Sequence, residues 1–253
     1  MISIMQKKIN KFILSIIAIL FWLLVWQIAA SIVNKNLMFK IPLPIETITE
    51  FISFFSDITF WQAVLNSVFH IVTGFVLGVI IGFIFGILSS NSIYFNILTS
   101  PISRLIRTVP VAAFIILAWL WIPAEYIPAF ISFLMVLPII WSQVESGLLS
   151  VDSKLVEMAD VMGMGKIQII KNIKIPVLLP FVRNSLITGL GFAWKSGVAA
   201  EVICNSNGSV GAMLSSFKSN LEYRKVFAVV VTIIILSLIL ENIIKIVWRE
   251  KCD

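Results

Sequence analysis

The sequence predicts an all-α protein that crosses a membrane several times. Its 253 residues are 59% hydrophobic and only 13% charged, and the mean hydropathy is +1.03. A soluble domain averages about 45–50% apolar and about 25% charged residues. One water-soluble core of this length cannot bury such an apolar excess, so lipid must cover part of the surface.

Six apolar stretches are each long enough to cross the hydrocarbon core, which takes about 20 helical residues. They run over 12–33, 63–89, 101–121, 127–143, 176–202 and 226–248. Helices are required because lipid offers no partner for free backbone groups. The first stretch exceeds the 7–15-residue core of a signal sequence, so we expect a retained helix. We predict one membrane domain over 1–253.

Basic residues between these spans predict that both termini lie in the cytoplasm. If six spans alternate, twelve Lys and Arg residues fall on the side of the termini and five on the other. The twelve are Lys7, Lys8, Lys11, Arg104, Arg107, Lys154, Lys166, Lys171, Lys174, Lys245, Arg249 and Lys251; the five are Lys35, Lys40, Lys218, Arg224 and Lys225. This asymmetry follows the positive-inside rule and makes the loop over 148–175 cytoplasmic. Topology therefore explains the net charge of +6 without a nucleic-acid partner.

Cysteine and histidine usage argues against a metal site. Cys204 and Cys252 are the only cysteines, and His70 is the only histidine. A zinc or iron site needs a cluster of such ligands. The predicted topology places the two cysteines on opposite sides of the membrane, so we expect no disulfide. No nucleophile–base pair is visible at membrane depth, which disfavours a membrane enzyme.

The second span carries a stripe of glycines at a spacing of four. Its members are Gly74, Gly78, Gly82 and Gly86. Such a smooth stripe lets helices approach closely in lipid. Packing within the chain and a subunit interface both fit, and we favour packing within the chain.

The first connection, over 34–60, contains two prolines within 41–44 and an amphipathic stretch after them. Prolines disfavour helix, and Glu46, Thr47 and Glu50 supply the polar positions of the stretch that follows. We expect this segment to lie along the outer membrane surface.

The loop over 148–175 predicts a short amphipathic helix. Asp152 is a suitable N-cap, and Gly163 and Gly165 end the helix after Met162. Its apolar stripe at helical spacing is Leu155, Val156, Ala159 and Met162. A second helical segment over 167–173 leads to Pro176, which opens the fifth span. Lipid headgroups or a groove on a soluble partner could cover the stripe, and the residues alone leave both open.

This loop resembles the cytoplasmic loop of ABC importer permeases, which carries Glu-Ala-Ala, a Gly further on, and then Ile-x-Leu-Pro. The residues that match at the family's spacing are Glu157, Ala159, Gly163, Ile173 and Pro176. Met158 replaces the second position of the triplet, and Ile175 replaces the Leu before Pro. Both replacements keep the position apolar.

The resemblance extends over nearly the whole chain and points to the branch that handles nitrate, sulfonates and taurine. The supporting stretches are 41–44, 66–70, 107–110, 147–152 and 199–201. It implies the type I ABC importer permease fold in a bacterial plasma membrane. It also implies two permease subunits, most simply a homodimer, on a cytoplasmic ABC ATPase dimer and fed by an extracellular substrate-binding protein.

The implied substrate is a small anion or sulfonate-like solute. A vitamin precursor, such as a thiamine pyrimidine, remains an alternative cargo. A secondary transporter driven by an ion gradient would favour internal repeats and midplane carboxylates. No clear repeat is visible, so that rival is less well supported.

The resemblance also assigns roles within the loop. The helix over 152–162 would sit in a socket on the ATPase, and its apolar stripe would supply affinity. Glu157 would hold the loop or meet a basic partner group, and Gly163 would permit the sharp change of direction. The joint at Pro176 would pass the movement into the fifth span.

Three residues of the fifth span are candidates for the translocation path, namely Trp194, Lys195 and Glu201. Ionisable residues within spans are costly and often functional. Lys195 could attract an anionic substrate, pair with Glu201, or extend its amine to the outer surface. The alternatives for Trp194 are packing or an aromatic belt.

The same span contains a near match to a phosphate-binding loop over 189–196. That pattern needs a glycine immediately before Lys-Ser, and Trp194 stands there. We therefore expect no cofactor in this chain and expect ATP to bind the partner.

Overall fold

The structure, a computed structural model, describes residues 2–35 and 41–249, with side chains for 13–14, 16–35 and 41–246. Lys40, Lys251 and Cys252 lie outside the described residues, as do the side chains of Lys7, Lys8, Lys11 and Arg249. The helices are α1 (Ile2–Val33), α2 (Pro44–Phe54), α3 (Ile58–Asn91), α4 (Ile93–Thr108), α5 (Val111–Trp119), α6 (Ile127–Leu149), α7 (Ser153–Val161), α8 (Lys166–Ile169), α9 (Ile175–Cys204), α10 (Val210–Ser219) and α11 (Tyr223–Arg249). The all-α prediction is confirmed.

Within the described residues, five helices are long and apolar enough to cross a membrane. These spans are Ile16–Val33, Ile58–Asn91, Ile127–Leu149, Lys166–Cys204 and Tyr223–Ile246. The pair α4 and α5 brings the number to six if it counts as one span. The protein is therefore a multi-pass membrane protein.

The predicted third span, over 101–121, is wrong as a single helix. It consists of α4 and α5, which meet at an angle of 101°. The break falls at Val109, whose backbone is extended (φ −77°, ψ 132°). The ring of Pro110 clashes with an α-helical conformation of the preceding residue, so the helix must stop there.

The chain divides into two compact units. The first, here the N-terminal unit, comprises the described part of Met1–Ile58 together with Ser216–Thr232. In it, the side chain of Asn34 exchanges two hydrogen bonds with the backbone of Ile41, at 2.9 and 2.8 Å. Arg224 forms an ion pair with Glu46 at 2.6 Å. These contacts connect the end of α1, the start of α2 and the start of α11.

Helix α2 is the predicted amphipathic segment. Pro44 lies in its first turn, where a missing N–H is tolerated, and Glu46 accepts a hydrogen bond from the backbone N–H of Leu43 at 3.1 Å. Thr47 is buried, whereas the isoleucines of the opposite face are exposed; they are Ile45, Ile48 and Ile52. An exposed apolar stripe on a short helix is typical of a helix that lies in the membrane interface.

The second unit, here the central unit, comprises Thr59–Ser215 and the described part of Ile233–Asp253. Helix α6 lies in its middle and packs against α3, α4, α5 and α9. One apolar cluster joins α3, α6 and α9 through residues such as Ile71, Ile140 and Trp194. A second joins α5, α6 and α9 through residues such as Ile115, Ile131 and Ala200. Helices α6 and α9 therefore belong to both cores.

The glycine stripe of α3 packs against α6 in the same chain. A Cβ on Gly74 would collide with the carbonyl oxygen of Ala129, and one on Gly82 would lie 2.8 Å from the carbonyl oxygen of Leu137. A Cβ on Gly78 would likewise collide with the side chain of Val136, and a Cβ on Gly86 with the side chain of Val144. The stripe thus permits backbone contact between two spans, and packing within the chain is confirmed.

We expect the substitution Gly74→Ala to destabilise the fold by about 1–3 kcal/mol, because the added methyl group must displace the backbone of α6. Gly189→Ala in α9 is the matched control, since its Cβ would meet its nearest neighbours at 3.6 Å. Both variants gain the same helix propensity. Thermal unfolding in detergent should give a lower Tm for Gly74→Ala alone. Equal Tm values would contradict the close packing of α3 on α6.

Candidate functional site

Helix α7 confirms the predicted helix in the loop, and its N-terminus is capped as expected. Asp152 has an extended backbone, and its carboxylate accepts a hydrogen bond from the N–H of Lys154 at 2.9 Å. This satisfies one of the N–H groups that the first turn of a helix leaves without a partner.

Gly163 ends α7 through a pair of backbone hydrogen bonds. Its N–H donates to the carbonyl of Asp160 at 3.0 Å, and the N–H of Met164 donates to that of Ala159 at 3.0 Å. This is the Schellman arrangement, which requires a left-handed residue after the last turn. Gly163 has φ of +74°. A side chain there would be strained, so glycine fixes the direction in which the chain leaves the helix.

The predicted apolar stripe of α7 divides between two faces. Ala159 is only 1% exposed and Val156 is half-buried, so these two residues face the protein. A larger apolar surface faces outward, and it consists of Leu155, Met158, Val161, Met162 and Ile167. We call these five residues the outer apolar face. Val161 is 89% and Met162 is 72% exposed.

The sequence analysis missed three members of the outer apolar face. Met158 lies three residues after Leu155 and four before Met162, which places it on their side of the helix. That spacing was available from the sequence, but the predicted stripe ran through Val156 and Ala159 instead. Glu157 is also exposed, and within the described residues no ion pair fixes it.

The joint between the loop and the fifth span begins before Pro176, at which the sequence predicts the start of that span. Helix α8 continues through a π-helical turn, Ile170–Lys174, directly into α9. The result is one helix of 39 residues, Lys166–Cys204. Pro176 has no N–H for the carbonyl of Asn172, so regular α-helical bonding cannot pass through this turn. The wider turn accommodates the proline and keeps the helix continuous.

Glu201 lies at the far end of α9 and is fully buried. One carboxylate oxygen accepts hydrogen bonds from the hydroxyl of Ser67 at 2.8 Å and from the N–H of Gly211 at 3.0 Å. The Ser67 hydroxyl also accepts from the N–H of Val210 at 2.9 Å. The positive end of the α10 dipole stabilises a negative charge there. Glu201 therefore connects α3, α9 and α10.

Trp194 and Lys195 are neighbours in the chain but face opposite ways. Trp194 is 1% exposed and donates through Nε1 to the carbonyl oxygen of Ile233 at 3.0 Å. Lys195 is exposed and shares its face of α9 with Thr188 and Phe192. Of the three candidate path residues, only Lys195 reaches the surface in this conformation, and the alternative pairing with Glu201 is not formed.

The near match to a phosphate-binding loop lies inside α9. Its backbone N–H groups are engaged in helical hydrogen bonds, so they cannot surround a phosphate. Gly191 allows a close approach of Glu241 instead: a Cβ on Gly191 would lie 3.3 Å from Oε1 of Glu241.

Several spans and a capped amphipathic helix in the loop are the features that the resemblance to importer permeases predicts. The family model for binding-protein-dependent transport system inner membrane components matches residues 74–250. The chain belongs to this family. It is a permease subunit of an ABC importer, a transport component and not an enzyme. The matched range includes the loop helix and all of α9.

Named relatives agree with the branch predicted from the sequence. The permease is 24% identical to a putative aliphatic sulfonates transport permease of Bacillus subtilis (strain 168), over 89% of this chain and 82% of that one. It is 27% identical to a taurine transport system permease of Escherichia coli (strain K12), over 74% and 68%. A riboflavin transport system permease of Chloroflexus aurantiacus is 26% identical over 88% and 83%.

Solved structures agree on the fold. An inward-facing form of the MetNI methionine ABC transporter matches with a TM-score of 0.58 at 16% identity, over 76% of this chain and 94% of that one. A bacterial alginate ABC transporter in complex with an alginate-bound periplasmic protein matches with a TM-score of 0.59 at 13% identity, over 96% and 93%. The type I importer permease fold is therefore confirmed.

Proposed function

We propose that this permease forms one half of a translocation path for a small, sulfonate-like anion and that α7 couples the path to a cytoplasmic ATPase. The observation that carries the proposal is the outer apolar face of α7 and α8, next to the start of a continuous helix, Lys166–Cys204, that enters the membrane. Two permease copies, an ABC ATPase dimer and an extracellular binding protein complete the proposed importer. ATP binds to the ATPase partner.

The outer apolar face needs a covering surface. Burial of one large apolar side chain contributes roughly 1.5–3 kcal/mol, so Val161, Met162 and Ile167 together supply enough for a stable contact. Contiguous exposed apolar side chains of this kind mark interaction sites.

Charge favours a protein over lipid headgroups as the cover. The segment from Asp152 to Ile167, which holds the whole outer apolar face, carries Asp152, Glu157 and Asp160 against Lys154 and Lys166, a net formal charge of −1 (three negative, two positive), and α7 itself is acidic. A helix that binds a membrane surface carries Lys and Arg on its polar face, because the leaflet is anionic. An acidic helix is repelled there, whereas a groove with basic groups on a soluble partner attracts it.

The proposed mechanism is rigid transmission. ATP binding closes the ATPase dimer and moves α7, while Gly163 fixes the angle between α7 and α8. The continuous helix Lys166–Cys204 then carries the displacement into the membrane. Such a rearrangement switches the path between inward-open and outward-open states. ATP shifts this equilibrium only by its different affinity for the two states.

The sulfonate and taurine relatives support an anionic cargo. Lys195, exposed on α9, supplies a positive charge that could face such a cargo in the paired assembly. The riboflavin permease among the relatives favours a vitamin-like solute as the second candidate.

Uptake by proteoliposomes tests the cargo. The vesicles carry the permease with an ABC ATPase and a substrate-binding protein from the same source, and ion gradients are clamped. We expect ATP-dependent uptake of taurine or an alkanesulfonate and no uptake of riboflavin. Riboflavin uptake would replace the anion proposal, and ATP-independent uptake would refute the importer. Sulfonate uptake with unchanged affinity in Lys195→Met would remove Lys195 from the path.

Two loop variants test the coupling. Glu157→Lys reverses a charge on the docking helix, and Gly163→Pro cannot adopt the left-handed backbone that ends it. We expect normal insertion and ATP hydrolysis, but about tenfold less uptake per ATP, because a displaced docking helix no longer passes the movement of the ATPase to the path. The controls are Glu125→Lys in the α5–α6 connection and Gly165→Ala, whose added Cβ would meet only Oε1 of Gln168, at an ordinary 3.9 Å. Normal coupling in both loop variants would overturn the assignment of α7.

A further inference from the structure

A polar cavity of about 190 Å³ lies between α4 and α6. Its polar lining includes Asn96, Ser100, Arg104, Arg107, Ser142 and Glu145. Seven of its eight lining residues are polar or charged, although both helices belong to the membrane bundle. Arg104 and Arg107 are exposed, and the predicted topology places them on the side of the termini, so a charged solute in water can reach the cavity.

The charges in this cavity do not balance. Arg104 and Arg107 lie three residues apart, on one face of α4, and both line the cavity. Glu145 supplies the one negative charge, and the amide of Asn96 donates a hydrogen bond to it. Two positive charges and one negative charge leave a net formal charge of +1.

The two guanidinium groups differ in how they are held. Arg107 donates through Nη2 to the carbonyl oxygen of Pro138 at 2.7 Å. This contact orients the group and leaves most of its five N–H donors available. For Arg104, no hydrogen bond or ion pair is formed within the described residues. One oriented and one unengaged guanidinium therefore face the same small space.

We infer that this cavity binds one tetrahedral oxyanion, a sulfonate or phosphate group, between Arg104 and Arg107. Guanidinium groups bind oxyanions through paired, charge-assisted hydrogen bonds. The hydroxyls of Ser100 and Ser142 add donors on either side. The volume suits a small solute, since pockets for drug-sized ligands occupy about 300–1,000 Å³.

A transported sulfonate and the phosphate of a lipid headgroup share this chemistry. If the occupant is the transported solute, its role in transport rests on the proposed importer function. Binding of the oxyanion itself does not, because it needs only the residues of this chain.

Inorganic sulfate is a suitable probe. The full chain in phosphatidylcholine nanodiscs is titrated with sulfate and, at equal ionic strength, with chloride, and binding is measured by calorimetry. We expect sulfate to bind with preference over chloride and Arg104→Gln to weaken that binding at least about tenfold, as loss of a charge-assisted pair predicts. Absence of preferential sulfate binding, or equal binding by Arg104→Gln, would overturn the inference.

Two further variants separate binding from folding. Glu145→Gln removes the negative charge and should tighten sulfate binding about fivefold, the effect of one nearby charge at partial exposure. A misfolded protein cannot bind more tightly, so weaker binding in Glu145→Gln counts against the site. Arg183→Gln in α9 removes the same charge outside the cavity and should leave the affinity unchanged. A tenfold loss of sulfate affinity in Arg183→Gln would mean that Arg104→Gln weakens binding only by lowering the net charge of the protein, and this would count against the site.

A change in the lipid composition of the nanodiscs shows whether the natural occupant is a lipid headgroup or a soluble oxyanion. In nanodiscs that contain phosphatidylglycerol, lower apparent affinity for sulfate indicates a headgroup in the cavity, and unchanged affinity indicates a soluble oxyanion. Both outcomes support the site if they depend on Arg104. The readout uses no ATPase, so failure here leaves the importer proposal intact, and failure of ATP-driven uptake leaves the oxyanion site intact.

Discussion

Backbone contact between α3 and α6 sets the geometry of the central unit. The Cβ-free surface at Gly74, Gly78, Gly82 and Gly86 brings the two helices together so closely that a single methyl group would strike a carbonyl oxygen. In lipid there is little hydrophobic drive between helices, so close packing of this kind supplies much of their association. With α6 fixed on α3, the other faces of α6 pack against α4, α5 and α9.

The position of α9 is set by its packing against α3 and α6 over the half that ends at Glu201, whereas fewer contacts hold the half that begins at the loop. Its core side chains, such as Trp194 and Leu190, pack with α3 and α6. At its far end the carboxylate of Glu201 is fixed by Ser67 and Gly211. At the loop end, α8 and α7 project an apolar surface outward. A long helix anchored at one end and exposed at the other is suited to pass on a displacement, which is the role we propose for it.

Much of this could be predicted from local patterns. The apolar stretches located the spans, and Asp152 and Gly163 located α7 because caps are short-range signals. The proline at 110 was read as part of a span, although its effect on Val109 is local and visible in the sequence. The π-helical turn before Pro176 was not predictable in the same way, since a proline at the start of a helix usually follows a break.

Contacts between distant segments escaped prediction for a different reason. Ser67 and Glu201 are separated by 134 positions, and Asn96 and Glu145 by 49. No periodicity within one helix reveals which residues of another helix it will meet. The cavity with Arg104 and Arg107 was therefore hidden, because its arginines counted only as charges at the end of a span. The outward position of Met158 follows from its helical spacing to Leu155 and Met162, but the predicted stripe ran through Val156 and Ala159 instead.

The central claim is that α8 and the fifth span move as one rigid helix, Lys166–Cys204, and a distance measurement tests it most directly. Spin labels at Lys166 and Ile203, both exposed, would be about 55 Å apart along a continuous helix at 1.5 Å per residue. In the assembled importer, this intrachain distance should change by less than one helical turn, about 5.4 Å, between nucleotide-free and ATP-bound states. The distance between the Lys166 labels of two copies should change over the same cycle. A change of a turn or more within one chain, with a constant distance between copies, would mean that the helix bends at Ile170–Lys174 and would contradict rigid transmission.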